Sequence, residues 1–470
     1  MRRPARRRES GFSLVELLVS MLLISLVLGV AFTMFNFTNK LSRAQLHQAD
    51  LQQSSRVAQR DLLRIIRMAG RGGLVGFNVP GQTATGGPAS ITPAIEVRNN
   101  VPSGQRLVIG NATSPLLIED TDVLTVRGHL TSAPAFIDST DDTTFTTNAN
   151  GGVLTLASFG PTGIPQDITP IVDAVDDGRA DAILIISSLS DSIYGVAEID
   201  VGNSDVTTYN TDPLVYSEVT LAYRHTGGTY AADYALLSAD GVFPDNDPLT
   251  HPAWLPARGL LNVGTVALLE EYRYYVCDTK DITCDPNSQT EEPRLSVGRF
   301  FPGTDIAHPD GGWRTEIADN IHDLQVALGF DSSFDGGVNV NGFFAADADN
   351  LGDDDIIVDG DLLAGASTGL DDWLFNAEAD TTNLGNPPWT PNPAAGVVPP
   401  SFPVTQPRPR LFYARINTLS LAAQPDRGYE APLITAIEDH TYDSDHPVNK
   451  IGGQQKRRLL LTTIVDLRNL

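Results

Sequence analysis

A chain of 470 residues has room for two or three domains. Its net charge of −26 is unevenly placed: residues 1–75 hold 12 Lys+Arg against 4 Asp+Glu, and the other 395 residues hold 20 against 54, a net of −34. So acidic a remainder argues against binding of nucleic acid or anionic lipid, both of which need basic surfaces. The hydrophobic fraction of 41% is ordinary for a folded protein, and 41 Gly with 31 Pro favour a β-rich, loop-rich body.

The chain opens on a basic patch, Arg2, Arg3, Arg6, Arg7 and Arg8, followed by Gly11 to Phe37. From Leu17 to Phe35 no residue is charged, and only Ser20, Ser25, Gly29 and Thr33 interrupt the apolar run. About 20 apolar residues in a helix cross the hydrocarbon of a bilayer. The basic flank stays in the cytoplasm, so everything after Phe37 is expected outside. No small-residue signal-peptidase site follows the apolar run. One acid, Glu16, sits at its N-terminal edge. A carboxylate at mid-bilayer costs roughly 2.5–3.5 kcal/mol and usually has a partner. No cation follows in the flank, so that partner is expected to be a chain terminus or another protein.

The combination of basic leader, Gly11–Phe12 junction, Glu16 four residues later and the run SLVELLVSMLLISLVLG resembles the N-terminus of type IV prepilins. The resemblance implies that a prepilin peptidase cuts between Gly11 and Phe12 and methylates the Phe12 amine. It also implies that Glu16 pairs with the amine of a neighbouring subunit. The freed amine stands ~6 Å of helix rise from Glu16, and opposite charges attract far more strongly in a low-dielectric layer than in water. A plain signal anchor with a tolerated acid is the alternative.

Beyond Phe37, Leu51, Ser55, Ala58, Leu62, Ile65, Ile66 and Ala69 recur at helical spacing, with Arg56, Arg60, Arg64, Arg67, Asp50 and Asp61 elsewhere on the helix. A continuous helix from Phe12 to Ala69 would be ~87 Å long; two helices broken near Asn36–Lys40 are the alternative. Gly70, Gly72 and Gly73 end the pattern. The run RDLLRIIRMAGRGG (60–73) resembles the end of this helix in PilW-like minor pilins.

The remainder reads mainly as strands bounded by Gly, Asp and Pro: 121–127, 181–187, 214–223, 266–277, 294–300, 410–421 and 457–467. The runs 266–277 and 294–300 are expected to form a hairpin around Cys277 and Cys284, which lie on the outer side of the helix and are expected to pair in an oxidising compartment. Residues 317–329 read as a short helix or turn followed by a strand. TDVLTVR, NIHDLQVALG and the closing run with Arg457, Arg458, Thr462 and Thr463 also resemble PilW-like pilins.

The expected organisation is therefore a leader at 1–11, a transmembrane helix at 12–37 and its amphipathic continuation at 38–72. A β-rich head follows at 73–330, then a tolerated insertion at 331–409 and the last strands of the head at 410–470. The insertion is Asp/Asn/Gly-rich over 331–361 and carries nine prolines between Pro387 and Pro409. The fold class is α+β, a long N-terminal helix on a globular head.

Within the insertion, Asp347, Asp349, Asp353 and Asp355 are candidate calcium ligands, since calcium takes six to eight oxygens. Leu351 breaks the EF-hand pattern, and a solvated acidic loop is the preferred reading. No other cofactor is expected. Gly365–Gly369 matches a nucleophile-elbow pattern around Ser367 but lacks a strand-to-helix context. His440 and His446 are the closest histidine pair, more in keeping with a polar loop than with a metal site. No enzyme activity is expected.

What the resemblance implies is a minor pilin that primes or caps a type IV pilus. Its expected partners are prepilin peptidase, major and minor pilins, the assembly platform and inner-membrane lipid, with no nucleic acid. Its expected location is the bacterial inner membrane with a periplasmic head, then the pilus. A J-type pseudopilin of type II secretion, and a membrane-anchored ligand-binding protein or adhesin, are the alternatives.

Overall fold

The computed structural model describes residues 13–71, 94–137, 145–148, 151–157, 166–187, 194–211, 214–225, 227–230, 263–279, 281, 283–284, 293–331, 356–357, 372–375, 410–426, 429–438, 440–444, 446 and 448–467. Helix α1 runs unbroken from Leu14 to Ile66, 53 residues and about 80 Å. The segment Asn36–Lys40 continues it, since Asn and Thr lower helix propensity by less than 1 kcal/mol each and no proline intervenes. It closes on Arg67, and Gly70 at φ +69° turns the chain away. Leu51, Ser55, Ala58, Leu62, Ile65, Ile66 and Ala69, the stripe expected from spacing, are buried, together with Gln59.

After α1 come β1 (Ile95–Arg98), β2 (Val123–Gly128), β3 (Ala135–Phe136), β4 (Phe145–Asn148) and β5 (Gly151–Ala157). Helix α2 (Thr169–Asp176) leads to β6 (Ala182–Ser187), β7 (Tyr194–Ile199), β8 (Asp205–Thr211), β9 (Leu214–Arg224) and β10 (Val263–Leu268). Then follow β11 (Glu270–Cys277), β12 (Arg294–Phe300), β13 (Thr315–Asp319), β14 (Ile321–Asp331), β15 (Ile356–Ile357) and β16 (Asp372–Phe375). The chain closes with β17 (Arg410–Leu421), β18 (Ala436–Ile437), β19 (His440–Thr441), α3 (Ile451–Gln454) and β20 (Arg458–Asp466).

Two antiparallel sheets share one core with α1. The first has the order β1-β2-β11-β12-β13 and the second β15-β16-β14-β17-β20. Alternate residues of both turn inward: Ile95, Val97, Leu124 and Val126 from the first, and Leu324, Val326, Leu328, Ala414 and Ile416 from the second. They close over Ala58, Leu62, Ile65 and Ile66 of the helix. The architecture is a long apolar helix on a β-rich head.

A third sheet, β3-β10-β6-β7-β9-β5-β4 with β8 beside β9, has its own core under α2. It is inserted between β2 and β11, whose ends are register neighbours at Gly128 and Glu270. Residues 332–409 enter in the same way between β14 and β17, where Asp331 faces Arg410. Both insertions leave from the ends of paired strands, so neither interrupts a ladder.

One expectation needs correction, and one open alternative is decided. The run 266–277 is two strands in different sheets, β10 and β11, separated at Leu269, whose N–H is held by the carbonyl of Ala182. Strand-forming residues lie on both sides of the break, and the Glu270–Glu271 pair that follows it does not by itself announce a change of sheet. Only β11 forms the hairpin with β12. Of the helix or turn expected before the strand in 317–329, it is the turn that forms: β13 turns at Asn320, φ +62°, directly into β14. Asn is among the residues that tolerate this left-handed conformation.

Candidate functional site

The start of α1 explains the lone acid. Ser13 is the N-cap, in an extended conformation. Its hydroxyl accepts from the Glu16 N–H at 3.2 Å, and Glu16 Oε2 accepts from the Ser13 N–H at 2.9 Å. This capping box satisfies two N-terminal donors and sets a negative charge at the positive end of the helix dipole. Glu16 Oε1 accepts nothing among the described residues, leaving one carboxylate oxygen for a second donor. Sequence reading found the acid and missed its cap, although Ser13 followed three residues later by Glu is the signature.

Above this turn the helix stands free of the head. Leu14 is 78% exposed and Phe37 67%, and every large apolar residue between them is at least half uncovered. The hydroxyls along the run are turned back on the helix: Ser20 donates to the Glu16 carbonyl at 2.7 Å, Ser25 to Leu22 at 2.8 Å and Thr33 to Gly29 at 2.5 Å. No hydroxyl is left seeking water, which is the condition for polar side chains in hydrocarbon. By length and composition the segment can span a membrane.

Where the helix meets the head, polar groups fix its rotation. Ser55 Oγ lies 2.6 Å from Ser420 Oγ. Gln59 donates to the Leu461 carbonyl at 2.8 Å and accepts from the Thr463 hydroxyl. The Tyr274 hydroxyl donates to Asp61 at 2.9 Å, and burial together with that carboxylate pushes the phenol far above its usual range. The terminal turn docks on the end of β2, through Gly70 N–H to Arg127 O at 3.1 Å and His129 N–H to Arg71 O at 3.2 Å. A Cβ on Gly128 would lie 3.1 Å from the Met68 carbonyl oxygen, so the glycine sets how closely strand and helix approach.

The root of the third sheet is held by two adjacent buried acids that sequence reading missed. Glu270 accepts from Leu130 N–H at 3.1 Å, Thr131 N–H at 2.6 Å and the Thr131 hydroxyl at 2.7 Å. Glu271 lies between Arg127 and Arg273, at 2.6 and 2.7 Å, and accepts from Gly303 N–H at 2.8 Å. Burial alone would raise its pKa; the two guanidiniums outweigh burial and hold it below the usual carboxylate range. From the insertion side, Asp181 meets His308 at 2.9 Å and Arg179 meets Asp310 at 2.5 Å.

Cys277 and Cys284 are joined, with Cα atoms 5.8 Å apart. The loop between them is tied to the preceding part of the head by Arg106 on Asp281 at 3.0 Å. His440 is a core residue rather than a polar-loop one: buried, it lies with Nδ1 2.9 Å from Asp323, which also accepts from the Tyr442 hydroxyl. His446 sits 5.5 Å from His440, ring centre to ring centre, and burial with that neighbour pushes it below the usual imidazole range. Among the described residues no three His, Cys, Asp or Glu are arranged to hold a metal. Gly11, Phe12, Asp347, Asp349, Asp353, Asp355 and Ser367 lie outside the described residues.

Residues 6–32 match the family model described as the prokaryotic N-terminal methylation motif. No curated protein and no solved structure matches the chain. The motif and the free apolar helix behind it support a membrane-anchored, type IV pilin-like or pseudopilin chain.

Proposed function

We infer that the chain is a minor pilin of the PilW-like class that primes or caps a type IV pilus. Residues 1–11 are the leader, removed by prepilin peptidase between Gly11 and Phe12, and Phe12 is then N-methylated. The helix holds the protein in the bacterial inner membrane with the head in the periplasm. It passes into the filament when its apolar face packs against other pilin helices on the assembly platform. The role is structural and involves no catalysis.

The observation that carries this reading is the Glu16 carboxylate at the tip of a helix that buries nothing of its own below residue 50. One oxygen is engaged by the Ser13 N–H, and the other has no partner among the described residues. A cation brought to that oxygen in a low-dielectric layer gains far more than it would in water. The amine freed at Phe12 of a neighbouring subunit is a cation generated at the matching height.

Replacing Glu16 with Ala tests the reading. The account expects normal membrane insertion and loss of the chain from sheared filaments. A variant that still enters filaments, or a wild-type chain never found in them, refutes it. Recovery of the wild-type chain in a secretion pseudopilus instead supports the J-type pseudopilin. Equal behaviour of wild type and variant in the membrane, with neither in a filament, supports an anchored binding protein.

A further inference from the structure

The end of the head nearest the apolar run carries a local excess of cations. Over 446–458 the chain holds Lys450, Lys456, Arg457 and Arg458 and no acid, on a protein that is −34 beyond residue 75. These residues lead into β20, whose direction along α1 is fixed by its contacts. Leu459, near its start, lies with Gln48 and Gln52, whereas Leu461 and Thr463 further on meet Gln59. The start of β20 therefore forms the rim of the head that faces down the helix.

At this rim a cavity of about 140 Å³ opens between Gln48 and Gln52 of the helix and Tyr429, Arg457 and Arg458 of the head. That is far more than the ~10–15 Å³ that admits one water, and it leaves room for a phosphate group. The two arginines differ. Arg457 is neutralised by Asp426 at 2.9 Å and lies over the Tyr429 ring, 4.7 Å from its centre. Arg458 meets no carboxylate among the described residues. It donates to the carbonyls of Pro432, at 2.9 Å, and Val448, and its buried Nε finds no acceptor among the described residues. Burial pushes its pKa below the ordinary guanidinium value, against a smaller opposite influence of Tyr429. A partly buried cation held by carbonyls alone, in the wall of a cavity, lacks a counter-charge.

Its height decides what supplies one. Gln48 stands 11 residues past Phe37, ~16 Å of rise. Headgroups occupy ~5–7 Å outside the hydrocarbon, so the cavity lies ~10 Å above them, close to one Debye length of ~8 Å. Membrane helices tilt by ~20° on average, and a tilt toward this side lowers the rim while Lys and Arg heads reach beyond their stems. Lys40 and Arg43, ~4 and ~9 Å past Phe37, bridge the interval with the same sign. The helix has no acid between Glu16 and Asp50, and Asp50 is ~200° round the helix from both Gln48 and Gln52. A long polyanion such as DNA would reach the rim against the field of the acidic head, whereas an anionic leaflet lies directly below. The overall charge argues against anionic lipid; the local balance at this rim reverses it.

We propose that Arg458 and the cavity it lines bind the phosphate of an anionic phospholipid, so that the head rests its rim on the membrane before assembly. The proposal rests on the reading of the helix as membrane-spanning with the head outside. It adds a resting posture from which the chain is released when it enters a filament.

The test places the full-length chain in nanodiscs of phosphatidylcholine that contain phosphatidylglycerol with a photoreactive headgroup. After irradiation the labelled peptides are identified. Labels are expected on 450–459 as well as on 40–52. Labelling of 450–459 is expected to be at least about tenfold weaker when phosphatidylcholine carries the same photoreactive group instead. It is also expected to fall about tenfold in ~0.5 M salt, and in the chain with Arg458→Gln and Lys450→Gln. The comparison of the two lipids uses the wild-type chain and stands even if Arg458→Gln unsettles the contacts with Pro432 and Val448. Labels confined to 12–52, equal labelling from both lipids, or loss of labelling on adding inorganic phosphate at constant ionic strength overturns the proposal, the last by giving the cavity to the free ion. Insertion is read in the same discs from the protection of 17–35 against hydrogen exchange. An inserted chain with an unlabelled rim refutes the rim alone, whereas a chain that does not insert removes the membrane reading as well.

Discussion

The side-chain amide of Gln59 on α1 donates to the backbone carbonyl of Leu461 on β20, 402 residues later, at 2.8 Å. Among the described residues β20 is the last strand of its sheet, so this carbonyl would otherwise face outward from an edge. The same amide accepts from Thr463, so one helical residue closes an edge strand and fixes the rotation of the helix against the head.

Gln59→Leu keeps the volume and leaves the Leu461 carbonyl and the Thr463 hydroxyl without the amide. With Gln59 only 6% exposed, the loss is expected at about 1–3 kcal/mol. Chemical denaturation of the detergent-solubilised chain measures it, and a change below about 0.3 kcal/mol would show that water replaces the amide there.

Glu16→Gln separates two roles of that side chain. Glutamine preserves the capping box but carries no charge. The helix start is expected to survive, with filament incorporation at least tenfold below wild type, a difference of about 1.4 kcal/mol. Quantitative blotting of sheared filaments checks this. Wild-type incorporation would show that the cap, and not the charge, is what Glu16 provides.

Acid should loosen the root of the third sheet. Glu271 has a depressed pKa in the folded chain. Its contribution is therefore complete above the unfolded carboxylate value of about 4.3 and is lost as pH falls through the lower folded value. Stability measured by denaturant should drop below about pH 4 in the wild type. In Glu271→Gln, which leaves Arg127 and Arg273 with one fewer counter-charge, stability is expected to be lower at neutral pH and the acid-dependent drop smaller. Parallel pH profiles for the two proteins would contradict this.

Cys277→Ser opens the loop that β11 enters. Closing a loop of this size restricts the unfolded chain by about 2–3 kcal/mol in the chain-entropy model. Arg106 on Asp281 still anchors the segment, so the head is expected to fold with a lower midpoint. An unchanged midpoint after reduction of the wild type would show that the ion pair suffices.

The helix and the main strands were legible because their signals are local and periodic. Leu51, Ala58, Leu62 and Ile65 repeat at helical spacing, and 410–421 and 294–300 are both strands of the stated extent. The inserted sheet was not legible as a separate unit. Its boundary falls inside the strand-like run VALLEEYRYYVC, and what divides it is the pairing of Leu269 with Ala182, a contact between distant residues. Gln59 and Glu271 were missed for a related reason: a polar residue at a buried position is recognisable only when its partner is known, and those partners lie far away in sequence. His440 was read as a loop residue because its flanks are polar, while Asp323, which makes its burial tolerable, is 117 residues distant.

The central claim is that processing at Gly11–Phe12 creates the cation that Glu16 awaits. Mass spectrometry of the N-terminal peptide, from cells that possess the processing enzyme, tests it most directly. The account predicts a chain beginning at N-methylated Phe12. A chain still beginning at Met1, or cut at any other bond, would contradict it.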